Sequence, residues 1–295
     1  MIAILHLLAF IACVFVAGAL LAWPLSLLLG PDTIPLHKLV GHSTVLSGLI
    51  GAFIFLALNG ALNRSGLGYH VPATRFLRNV MAGLIGGGIL LLIIEVILLA
   101  LGLHTAEPEL SWSVGFITKT LLLALLTGFI VGIIEETIFR GAIITVLVKH
   151  NGMITAILAS SLVYALVHFV KFPALPAGEE VHWFSGLTLL ANAFNLNFIG
   201  RSYDVLLTLF LLGVILAQLR FYTGNIALSI GVHAGLVMMM KITRELTDYL
   251  PGSSFEFLIN DIDRQFGLLS ALALLLISII LFAVFRTDAR KKLID

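Results

Sequence analysis

Charge is what this chain has least of. Of its 295 residues, 11% are Asp, Glu, Lys or Arg and 60% are hydrophobic. A soluble domain usually carries about a quarter charged residues, so that class is excluded and a multi-spanning membrane protein is what remains. The few charges nearly cancel, and a formal net charge of +1 leaves no case for nucleic acid as a partner. A single cysteine, Cys13, excludes an internal disulfide and any multi-cysteine metal site. No Lys or Arg precedes the first apolar run, residues 2–29, which argues against a cleaved signal peptide and for a retained first span. Long linkers, low-complexity tracts and repeats are also lacking, so residues 1–295 read as a single integral membrane domain.

What is there in abundance is apolar helix. A crossing takes about 20 residues, and eight stretches read as spans: 2–29, 42–62, 78–103, 115–148, 153–171, 204–219, 224–241 and 266–285. The expected fold is therefore all-α, a polytopic membrane protein with eight transmembrane helices. The fourth stretch is too long for one simple crossing and must be tilted, broken or continued beyond the membrane. Residues 183–200 are fairly apolar but hold Asn192, Asn195 and Asn197, and read as a loop with a short interfacial or re-entrant helix. Arg64, Arg75 and Arg78, between spans two and three, give the clearest orientation signal, because short loops decide orientation. They place both termini in the cytoplasm. The small residues of "MAGLIGGG", 81–88, predict a close helix-packing face.

Few ionisable groups remain deep in the spans: Glu95, Glu135, Glu136, Arg140, His168 and His233. A charge at mid-bilayer costs about 2.5–3.5 kcal/mol on insertion scales, so such groups must face one another, water or a substrate. Glu136 and Arg140 are four apart and share a helix face, where they can pair. Glu135 lies about 100° further round. One acid would then be structural and the other available as a general base; the angles favour Glu135 for the second role without excluding the reverse. The turn Lys149–Gly152 is short, so spans four and five are antiparallel neighbours. Glu135 and His168 both lie roughly 21–24 Å from it, which predicts their meeting. Gly231 and Gly235 flank His233 and leave room for a close partner, either a helix or a substrate backbone. Asn225, about 12 Å below His233, is a candidate for lining a polar cavity. The blander alternatives are a helix–helix hydrogen bond for each histidine and a packing role for the Glu–Arg pair. Glu95 reads as structural, and His6, His37, His42, His70, His104, His150 and His182 read as solvated.

Three elements carry a family resemblance. "EETIFRG", Glu135 to Gly141, resembles the EExxxR motif of the CPBP intramembrane proteases, the CAAX-protease and bacteriocin-processing or Abi family. "YALVH", Tyr164 to His168, is similar to its second motif, and "NIALSIGVHAG", Asn225 to Gly235, to its third. The likeness covers roughly residues 115–241, the expected catalytic core. It implies an eight-helix intramembrane endopeptidase in which Glu135 activates a water with His168 as partner. His233 would stabilise the oxyanion and Arg140 would hold the glutamates, Glu136 among them. Two positions depart from the pattern. Members acting on prenylated CAAX proteins typically carry asparagine four residues after the third-motif histidine, where this chain has Val237, and Tyr164 stands in place of the commoner phenylalanine.

The expected substrate is a membrane-associated peptide or protein, and the expected location a bacterial inner membrane. Glu135, His168 and His233 are also a possible zinc set, two imidazoles and a carboxylate with an open fourth position. A metal-independent glutamyl protease is the favoured form, with no cofactor required. Two other functions compete. Intramembrane Glu and His residues serve proton-coupled transporters, although the paired repeats and matched broken helices of such folds are absent. A non-catalytic scaffold or immunity protein would keep the same residues for packing alone.

Overall fold

The computed structural model describes residues 2–30, 33–107, 113–176, 178–194, 200–260 and 264–291, with side chains for all of these except 2, 3 and 285–291. Of the expectations above, those on Asn195 and Asn197 lie outside the described residues.

The chain is an all-α membrane protein of several long apolar helices. Helix α1 is Ile2–Leu29 and α2 is Leu36–Leu58, followed by a single turn of helix, α3, Arg64–Leu67. Helix α4, Ala73–Ala100, precedes α5, Val114–Glu136, which runs on through a π-helical stretch, Thr137–Ile143, into α6, Ile144–Asn151. Then come α7, Met153–Val167, and the short α8, Ser185–Ala191. Helices α9, Tyr203–Thr223, α10, Ala227–Leu246, and α11, Leu268–Lys291, complete the order. Each predicted span falls on one of these helices. Five are long and apolar enough to cross a membrane: 4–29, α2, α4, the continuous 114–151 and α9. Met153–Val167 and Leu268–Val284 are apolar but shorter. Large apolar side chains point outward along α1, α4 and α5, Leu8, Ile85 and Leu122 among them, which is sensible only against lipid.

The long fourth stretch is explained by the π segment, in which the helix widens without stopping. Its seven residues are all buried, whereas α5 buries only Ala124, Gly128, Gly132 and Glu136. Gly152 (φ 78°) then makes the predicted tight turn into α7, a backbone conformation that a side chain would strain. Helix α9 is the most enclosed, packed by α7, α10 and α11. Helix α8 lies on α1, with Trp183 and Trp23 ring centroids 5.1 Å apart.

The expected small-residue face is the contact between α4 and α10. A Cβ on Gly83 would sit 2.7 Å from the Val232 nitrogen, and one on Gly231 would sit 2.9 Å from the Gly83 Cα. The partner that Gly231 and Gly235 make room for is therefore a helix. The two helices run the same way and leave side by side. Beyond their ends the chain forms an unexpected strand pair, β1, His104–Ala106, antiparallel to β2, Thr247–Tyr249.

One sequence expectation is corrected here. His104 is buried, and its Nδ1 lies 2.7 Å from Glu95 Oε1, which also accepts from Thr247 at 2.8 Å. The turn at Gly102 folds His104 back over the end of α4 and so removes it from solvent. Glu95 is thus structural, as expected, and ties the end of α4 to β1 and β2.

The α4–α10 contact gives a test. Gly83→Ala should lower stability by about 1–3 kcal/mol through overpacking. Gly86→Ala, one turn away with nothing within 4 Å, should be neutral or stabilising by up to about 1 kcal/mol. Thermal unfolding of both variants in detergent, beside wild type, reads the difference.

Candidate active site

The stripe of α5 explains how the site is assembled. Ala124, Gly128, Gly132 and Glu136 recur every fourth residue and are its only buried positions. Gly128 and Gly132 bring α5 against the backbone of α10, where a Cβ on Gly132 would lie 3.0 Å from the Ile230 oxygen. The next position along the stripe is Glu136, and the residue it meets is His233, with Nδ1 2.9 Å from Glu136 Oε1. The same Oε1 accepts from Arg140 Nη1 at 3.0 Å.

Arg140 and Glu136 are both fully buried. Arg140 Nη2 donates to the Gly213 carbonyl of α9 at 3.1 Å, and its guanidinium stacks 4.6 Å from the centre of the Tyr164 ring. The guanidinium thus lies between a carboxylate, a carbonyl and an aromatic face, which together offset its desolvation. Backbone contacts hold the π segment itself. Thr145 donates to the Gly66 carbonyl at 2.7 Å, and Arg220 Nε donates to the Arg140 carbonyl at 3.4 Å. Tyr69, between α3 and α4, donates its hydroxyl to Thr137 Oγ1 at 2.7 Å, while Thr137 donates to Ile133 O. Burial pushes the Tyr69 phenol above its ordinary pKa, so it stays a donor.

Glu135 lies on the other side of His233. Its Oε2 is 3.8 Å from His233 Nε2 and 3.8 Å from His168 Nε2. His168 caps α7, and its Nδ1 faces the Tyr164 carbonyl at 2.7 Å, where it must donate. The structure therefore brings Glu135, His168 and His233 into one triangle, with Glu136 and Arg140 behind it. Both imidazoles commit Nδ1 to an acceptor and turn Nε2 toward Glu135. Glu135 Oε2 is buried and has no hydrogen-bond partner, since 3.8 Å is too long for a direct bond. The gap is of the size that one small molecule fills by bonding to all three atoms.

A cavity of about 440 Å³ adjoins this triangle. Phe10 and Val14 of α1, Gly48 of α2, Ile138 of the π segment and Val163 of α7 line it, and Glu135 and His168 stand in its wall. Glu135 and His168 are about a quarter to a third exposed, whereas His233 is 4% exposed. One expectation fails at the periphery. Asn225 is fully buried and is spent on the turn before α10: its Oδ1 accepts from Ala227 N at 3.0 Å and its Nδ2 donates to Thr223 O at 2.9 Å. Val237, a turn beyond His233, offers no donor.

Residues 117–239 match the family model described as type II CAAX prenyl endopeptidase Rce1-like. Over that stretch the chain is similar to the CAAX-protease family. The matched stretch runs from inside α5 to inside α10 and contains Glu135, Glu136, Arg140, His168 and His233. No curated protein and no solved structure matches the chain. The family it resembles there is one of endopeptidases.

Sequence reasoning missed the Glu136–His233 bond. Its signal was the four-residue stripe of small residues ending at Glu136, which marks the face of α5 that meets another helix. The geometry also separates the two glutamates experimentally. Arg140→Met should cost about 3–5 kcal/mol, because Glu136 is left as an uncompensated buried charge. Glu135→Gln should leave stability nearly unchanged, since no hydrogen bond of the fold uses its buried oxygen. Chemical or thermal unfolding of the purified variants measures both.

Proposed function

We propose that the chain is an intramembrane endopeptidase that hydrolyses membrane-associated peptides or proteins with a water activated by Glu135. The observation that carries this reading is the buried, partnerless Glu135 Oε2, facing two imidazole Nε2 atoms at 3.8 Å each. Glu135 Oε2 and His168 Nε2 both accept hydrogen bonds and face each other at 3.8 Å, and a water between them supplies two protons. As the water oxygen attacks the scissile carbonyl, Glu135 takes one proton and later returns it to the leaving amine. His168 Nε2 accepts the second proton as a hydrogen bond and fixes the orientation of the attacking lone pair.

His233 is the donor for the developing oxyanion, a role worth about 2.7–4 kcal/mol in rate terms. Its Nδ1–H is already given to Glu136, so its Nε2 can donate only from the doubly protonated ring. That charge faces Glu136 on one side and Glu135 on the other. Arg140 holds Glu136, and through it the ring. The mechanism proposed is metal-independent. The donor set suits zinc chemically, and the Nδ1 contacts are of the kind that support metal-bound imidazoles. Glu135, His168 and His233 would hold such an ion, which would supply an acidified water in place of the one Glu135 activates.

The apolar cavity beside Glu135 and His168 suits an apolar segment of the substrate, brought in between α1, α2, α5 and α7. Eight crossings with both termini at the end that carries Arg64, Arg75 and Arg78 fit the charge distribution, and a helical bundle suits a bacterial inner membrane rather than an outer one.

In lipid nanodiscs with a labelled apolar peptide library, wild type should cleave. Glu135→Gln should lower the cleavage rate about 10²–10⁴-fold with unfolding unchanged, and a chelator should leave wild-type activity intact. Cleavage that survives Glu135→Gln would end the proposal, and cleavage lost to chelator and restored by zinc would end its metal-free form.

A further inference from the structure

A second polar cavity, of about 450 Å³, lies at the end of the bundle where α2, α6 and α9 finish. Lys149 and Arg220 reach into it from α6 and α9, with Asn63, Thr145 and Gly224 beside them. Both cations bond only to backbone carbonyls. Lys149 Nζ donates to Asn59 O at 2.8 Å. Arg220 donates to the carbonyls of Arg140, Gly224 and Ser65. No carboxylate among the described residues pairs with either. These contacts fix both side chains and leave N–H groups of each available.

The surroundings are equally one-sided. The three connections at this end, residues 59–78, 149–153 and 219–227, hold Arg64, Arg75, Arg78, Lys149 and Arg220 and not one Asp or Glu. An acid-free, preorganised pair of cations is a site for an anion. Its depth says which kind. Lys149 is two residues from the end of α6 and Arg220 three from the end of α9, the level at which helix ends meet headgroups. Leu58 at 81% exposed and Leu62 at 48% exposed lie beside it on the α2 side, and Tyr222 is exposed at the same level. A ligand that fits has a negative group over Lys149 and Arg220 and a hydrocarbon part over those leucines.

We propose that this pocket seats the phosphate of an anionic phospholipid headgroup, distinct from the Glu135 site and independent of the reading given to it. The test is native mass spectrometry of the purified protein, released from micelles doped with phosphatidylglycerol or with phosphatidylcholine. Wild type should retain a phosphatidylglycerol and not a phosphatidylcholine. Lys149→Gln should weaken that retention about fivefold, the share of one basic residue at an anionic surface, and Arg220→Gln by at least as much. The pair Arg75→Gln/Arg78→Gln, exposed on the same face but outside the pocket, should change it little. Equal loss in that control pair would assign the effect to diffuse surface charge and overturn the site. So would equal retention of the two lipids. Displacement of phosphatidylglycerol by millimolar inorganic phosphate would overturn the lipid assignment and leave a free-anion pocket. Should Arg220→Gln fail to fold, Lys149→Gln against the control pair decides alone.

Discussion

A guanidinium with no exposure, inside a helical bundle that faces lipid, constrains everything around it. Arg140 can be buried only because Glu136, the Gly213 carbonyl and the Tyr164 ring surround it. Removing its one charged partner, Glu136, would leave an ion in a medium of low dielectric constant, with little to offset the desolvation cost. That requirement fixes the π segment against α9 and aims Glu136 away from lipid. The same carboxylate oxygen then holds His233 Nδ1. A relay of hydrogen bonds from α9 to Arg140, to Glu136 and to α10 therefore sets the angle of an imidazole whose other nitrogen faces Glu135. The π-helical turn belongs to this constraint. Such turns cost backbone hydrogen-bond quality and tend to persist where function needs them.

Charge counting at the site sharpens the division between the two adjacent acids. Glu135 and Glu136 contribute two negative charges, and Arg140 offsets one. The other is balanced only when a proton lies within the triangle of Glu135, His168 and His233. A set of charges that sums to zero is cheap to keep in a membrane. Glu136, with its Oε1 already shared between Arg140 and His233, has little freedom to exchange a proton with a substrate. Glu135, partly open to the apolar cavity, has that freedom.

Local periodicity carried much of this, and its limits are instructive. The Glu136–Arg140 pair follows from a four-residue spacing, and the approach of Glu135 to His168 follows from equal depths on two helices joined by one glycine turn. The Glu136–His233 bond was out of reach of that argument, because α10 is separated from α6 by α7, α8 and α9, and the long connection after α7 leaves its depth unset. The small-residue stripe on α5 indicated a close neighbour but not which one. His104 looked solvated because it follows a span, yet the chain turns at Gly102 and lays it on Glu95, nine residues back. Asn225 looked like a polar liner but bonds its own backbone neighbours in the turn before α10, a common use of asparagine. The π segment appeared in the sequence only as excess length, since nothing in "TIFRGAI" distinguishes a wide turn from an ordinary one before packing is known.

The family match ends inside α10 and begins inside α5, yet the site cannot stand on that stretch alone. His233 has its place because α10 is clamped between α5 and α4, and α4 achieves its approach with Gly83 and Gly87. The cavity wall opposite Glu135 comes from α1 and α2. The five charged and imidazole groups are thus encoded in one contiguous stretch from α5 to α10, while part of the packing that fixes His233 and the cavity wall opposite Glu135 come from helices before it. A change in α1 or α2 can reshape access without touching a single polar atom of the site. A change in the α5 stripe or in the glycines of α4 moves the imidazole itself. Chemistry and access are therefore separable by position along the chain, because a buried ion cluster tolerates almost no displacement whereas an apolar wall can be repacked at modest cost.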